Sequence, residues 1–167
     1  MVAKITSGVS VYGALYYNQE KVDKGKARTL AWNRIMERPD GTAGIPECMR
    51  SFEAYLAANL RTEKPVIHLS LNPHPGDRLS DGQLEAIGRE YMEKLGYGDQ
   101  PYIIFRHEDN ARAHIHIVSL RIDEQGRKIR DYKEWERSMK ICRELEQKYG
   151  LVPSTKEERK ASGAMTA

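Results

Sequence analysis

The sequence predicts an α+β fold, a largely antiparallel sheet with helices packed against it, and three observations carry that reading. Short apolar runs of strand character alternate with segments of helical period. Two of those runs are separated by a short polar turn, the signature of a hairpin. The helical segments carry capping residues at the offsets that helix ends require.

Taken in order, a short strand occupies about residues 2–6. A helix follows from Ser10, an N-cap type, to about Val22, with Val11, Ala14, Leu15 and Val22 on the side that should face the core. A strand at about 27–35 and a helix at about 46–60 come next. "PVIHLSLN" (65–72) reads as a further strand, and Ser80 with Gln83 forms a capping box for a helix running to about Leu95. "PYIIFRH" (101–107) and "AHIHIVSLRI" (113–122) are the hairpin strands, joined through "EDNAR". The last helix is expected from an Asp131 cap to Gly150, which sits where a C′ glycine belongs.

The 167 residues suit one domain, expected over 1–153, with a polar tail or linker, expected to be disordered, over 154–167. No run approaches the ~20 apolar residues of a membrane span, and no apolar stretch follows the N-terminus as in an export signal. The expectation is therefore a cytoplasmic protein. Cys48 and Cys142 show no metal-ligand spacing and read as buried thiols. Charge is unevenly spread: residues 21–38 hold six basic and two acidic side chains, whereas 63–100 hold four basic and seven acidic. Residues 121–143 are again basic, eight against five. Such segregation can present one positive face to a polyanion, although a solvated surface explains it equally well.

The chemistry concentrates in the hairpin. Strand alternation puts His114 and His116 on one face, and a turn through 108–113 returns the chain so that His107 lies close to His114. Three imidazoles on one patch of a sheet make a facial metal site with positions left open. Glu108 and Asp109 flank it and could orient a ring. Three neutral imidazoles suit zinc, manganese, nickel or copper better than magnesium, and cellular supply could still load the harder ion. His68, in a strand, could pack beside the site but reads as structural, and His74, between prolines, reads as exposed.

These residues resemble a known family. "HEDNARAHIHIV" is similar to the third motif of conjugative and mobilisation relaxases of the histidine–hydrophobe–histidine (HUH) class, and "VSVYGALYYNQEKV" to their tyrosine-bearing first motif. "HLSLNPHPGDRLSDGQLEAIGREYMEKLGYG" resembles the region linking them, so the likeness spans about residues 5–150, and it is nearest to mobilisation proteins of Bacteroides-type elements. The resemblance implies a five-stranded antiparallel sheet flanked by helices, with one divalent metal ion on the sheet surface. It implies strand-specific nicking of single-stranded DNA at an origin of transfer, with a 5′-phosphotyrosine adduct and a free 3′-hydroxyl. It also implies accessory mobilisation proteins and a coupling protein as partners. His107, His114 and His116 match the ligand positions, Asp109 the acidic position between them, and Tyr17 the tyrosine. Tyr16 is the rival nucleophile and Tyr12 a third candidate, since helical period alone cannot choose. Relaxases are usually longer, so a trimmed or minimal form is the expectation here.

In physical terms, a metal offsets the phosphate's negative charge while a fixed tyrosine oxygen attacks without a two-body encounter. A phenol ionises near pH 10, so nearby positive charge must help it, with Asp109 or an imidazole taking the proton. Lys21, Lys24, Lys26, Arg106 and Arg112 are candidate DNA contacts. Three other readings remain: a rolling-circle replication initiator with the same chemistry, a metal-dependent hydrolase that uses water, and a DNA-binding accessory protein with structural histidines.

Overall fold

In a computed structural model, which describes residues 1–108 and 112–160, nine elements follow one another. They are β1 (Val2–Gly8), α1 (Val11–Asp23), β2 (Ala27–Asn33), α2 (Ile45–Ala57), β3 (Val66–Asn72), α3 (Asp81–Leu95), β4 (Tyr102–His107), β5 (His114–Leu120) and α4 (Glu134–Tyr149). The five strands form one antiparallel sheet in the order β1-β3-β5-β4-β2. The expected α+β architecture is therefore observed. The hairpin strands β4 and β5 are neighbours near its middle, which seats their side chains between flanking strands.

Alternation along the strands divides the core in two. On one face, Ile103, Phe105, Val118 and Leu120 pack with Val11 and Leu15 of α1 and with Cys48 and Phe52 of α2. On the other, Ile104, Ile115 and Ile117 pack beneath Leu84, Ile87, Tyr91 and Met92 of α3, with Ile141 and Leu145 of α4. Gly88 lets α3 come this close, because a Cβ there would stand 2.9 Å from Ile115 Cδ1. Ile115 lies between the two histidines of β5, so α3 braces the strand from behind.

Local signals act largely as the sequence predicts. Ser10 Oγ accepts from Gly13 N at 3.0 Å, and Ser80 and Gln83 exchange both bonds of a capping box. Gly150 ends α4 at φ 64°, with Leu151 N bonded to Glu146 O. The start of α4 is a correction. Lys133, at φ 50°, precedes its first residue, Glu134, and the Asp131 carboxylate pairs with Lys128 instead of capping. Past α4 the chain stays attached: Val152 N donates to Asp77, Ser154 N donates to Glu146, and residues 156–160 are helical. Residues 161–167 lie outside the described part. No helix among the described residues is long and apolar enough to cross a membrane.

Candidate metal and tyrosine site

The register of the hairpin decides the site. His107 pairs directly with His114, and Phe105 with His116, so all three imidazoles issue from one face of two adjacent strands. One nitrogen from each lies within 4.8 Å of the others. The rings of His107 and His116 are 3.9 Å apart between centroids, and His114 stands 5.0 Å from His116. His107 is wholly buried, His114 is buried and His116 half-buried. Three imidazole nitrogens this close fit a divalent transition ion.

Two residues that hold these rings were not assigned to the site from sequence. Asn18, fully buried on the core stripe of α1, donates from Nδ2 to Ala14 O, which leaves its Oδ1 as an acceptor 2.8 Å from His107 Nε2. An amide oxygen only accepts, so His107 Nε2 carries the hydrogen and the ring's lone pair sits on Nδ1. The signal was available: Asn18 is a polar residue in step with Val11, Leu15 and Val22, where an apolar one belongs. His68, read as structural, has its Nε2 2.9 Å from His116 Nδ1. Its strand joins the sheet beside β5 by long-range pairing, which no local pattern reveals.

Burial lowers the His68 pKa to about 4. Burial, and then the neighbouring His107, His68 and His114, lowers that of His116 to about 2. Both rings are therefore neutral at pH 7, as a metal ligand or its support must be. The unfolded chain has ordinary histidines near 6.5 and binds more protons, so metal-free stability falls as pH drops below 6.5. Each ring contributes roughly 1.4 kcal/mol per pH unit while it alone stays neutral in the fold. Melting in chelator is expected to weaken from pH 7 to pH 5, and less steeply in His68→Gln. An identical slope in the variant would remove His68 from this account.

The tyrosines of α1 separate clearly. The Tyr17 ring centroid lies 6.1 Å from that of His68, 6.2 Å from His107 and 6.0 Å from His116. Tyr16 and Tyr12 stack on each other at 5.8 Å and have no described ring contact with a histidine. Lys21 Nζ is 5.9 Å from the Tyr17 ring centre, one helical turn further on.

The other charged candidates are dispersed. Lys24 pairs with Glu20, and Lys26 is exposed beyond the end of α1. Arg106 is largely covered and donates to Glu108, Asp81 and Leu79 O, with Arg28 on the same two carboxylates. Glu108 thus faces arginines rather than a histidine, because its N–H bonds Lys26 O and turns it toward β2. Arg112 donates to Pro73 O and, with Arg78 and Arg106, borders a cleft of about 480 Å³. Asp109 lies outside the described residues. A second cleft of about 640 Å³, lined by Arg89, Glu93, Asp99 and Tyr102, includes none of these histidines. Neither cleft is lined by the histidine cluster.

Residues 17–151 match the family model described as relaxase, MobA/VirD2-like, nuclease domain. No curated protein and no solved structure matches the chain. The match covers strands β2 to β5, the three histidines and the tyrosine that lies against them, and the chain belongs to the MobA/VirD2-like relaxase family as a nuclease domain.

Proposed function

We propose that this chain nicks single-stranded DNA at an origin of transfer by transesterification, in the manner of the HUH class, with Tyr17 as nucleophile. The observation that carries the reading is the packing of the Tyr17 ring against His68, His107 and His116. A tyrosine held there needs no encounter with a separate nucleophile, which removes much of the entropic barrier. Tyr16 stays the rival, because it is the next residue on the same helix.

His107, His114 and His116 would hold one divalent ion, of manganese, magnesium, zinc or nickel. Bound there, the ion supplies positive charge at the non-bridging oxygens of the scissile phosphate. Tyr17 Oη forms a bond to phosphorus and gives up its proton, for which Asp109 is the proposed acceptor. The bond from phosphorus to the 3′ oxygen breaks, and that oxygen leaves as a hydroxyl once protonated. The DNA is left joined through its 5′ phosphate to the tyrosine. Because the phosphodiester is exchanged rather than hydrolysed, the strand can be rejoined without ATP. Asn18 and His68 keep the imidazoles in one tautomer and orientation throughout.

The same chemistry serves rolling-circle initiators, and the family match favours mobilisation, with accessory mobilisation proteins and a coupling protein as partners. Incubation with single-stranded oligonucleotides carrying candidate origins, followed by a denaturing gel, tests the activity: nicking should require both metal and strand sequence.

Binding should be separable from chemistry. Lys21, Lys24 and Lys26 follow Tyr17 along α1 and just past it and are the proposed contacts to a phosphate backbone, with Arg106 and Arg112 as further candidates. Neutralising the three lysines together is expected to weaken DNA binding and reduce the dependence of log K on log salt by about 0.7 per lost phosphate contact. An unchanged slope would leave these lysines as plain surface.

A further inference from the structure

The outer side of α1 shows something the chemistry above does not use. Tyr12 is 55% exposed and Tyr16 52% exposed, and their rings stack within 20° of parallel. Val9, just before the helix, is 71% exposed beside them in the chain. A helix gains little from aromatic rings held in water, since an alanine would cover its backbone as well. Two large rings left open, next in sequence to a tyrosine packed on the histidines, call for a partner with a flat apolar face.

We infer that Tyr12 and Tyr16 form a stacking platform for an unpaired base of the DNA strand, a short way along it from the nucleotide being cut. The inference rests on the proposed function and adds a binding subsite to it. Three features of the page favour a base over other occupants. The platform shares a helix with Tyr17, and Tyr16 stands about 100° round the helix from it, so a strand with its phosphate at Tyr17 reaches the pair within a few nucleotides. Lys21, beside the Tyr17 ring, and Lys24 at the helix end add positive charge for the backbone of that strand. Near-parallel rings suit the faces of bases, which every nucleotide offers whatever its sequence.

The test compares two oligomers of equal charge. Binding is measured for an oligothymidylate of about 20 nucleotides, and for an abasic strand of the same length that keeps every phosphate. The wild-type chain should prefer the strand with bases. Tyr12→Ala and Tyr16→Ala should each lose about 5- to 150-fold on the base-bearing strand, the usual worth of one stacked base. Affinity for the abasic strand and the salt slope should hold, and Tyr12→Phe and Tyr16→Phe should restore binding, because the ring and not the hydroxyl is used. Alanine variants that keep the preference, as they would if a protein partner docked there, overturn the platform. So do variants that lose both strands equally. A wild-type chain that binds neither strand overturns the proposed function itself, a result distinct from the first two.

Discussion

His114→Ala and His116→Ala are each expected to weaken metal binding by more than about 100-fold and to abolish nicking. The figure exceeds the roughly 10- to 100-fold typical of losing a residue that merely supports a ligand, because a donor itself is removed. Both side chains leave β5 on the same face, one opposite His107, and neither lies in the apolar core clusters. The fold should therefore survive, which a melting curve in chelator verifies. Titration with manganese or zinc then gives the affinity directly. Asn18→Ala should show the smaller loss, about 10- to 100-fold, since it frees the His107 ring to turn without removing a donor. Variants of His114 and His116 that bind metal like the wild type would assign the cluster to packing.

Tyr17→Phe is expected to bind metal and DNA normally and to lose nicking by a factor on the order of 10³ or more. The substitution removes one oxygen and leaves the ring against His68, His107 and His116. Under the same conditions Tyr16→Phe and Tyr12→Phe should retain most activity. Persistence of the adduct in a folded Tyr17→Phe protein would rule Tyr17 out. A dead Tyr16→Phe would then move the nucleophile by one residue and keep the mechanism. Nicking that survives all three substitutions would point to water and end the tyrosine reading.

The hairpin was legible because its information is local. Period-two alternation and a short turn suffice to bring His107 to His114 and to put His116 on the same face. The capping signals of Ser10, Ser80 and Gly150 are equally local, and they hold. Asp131 shows the limit of such signals: a nearby lysine competes for the carboxylate, and the helix starts further along. Sequence allowed His68 a place beside the site but not its bond to His116, which lies 48 residues away across a strand pairing that only the closed sheet creates. The pairing of Arg106 with Asp81 was hidden for the same reason, since Asp81 lies on another element. Among the tyrosines, helical period left three candidates, and tertiary packing alone lays one of them on the histidines.

The most direct test of the central claim is the mass of the product. Protein incubated with metal and a cleavable single-stranded origin should gain the mass of the 5′-phosphorylated downstream fragment, and fragmentation should place it on Tyr17. Chelator should abolish the gain. Two free DNA ends with an unmodified protein would contradict the account.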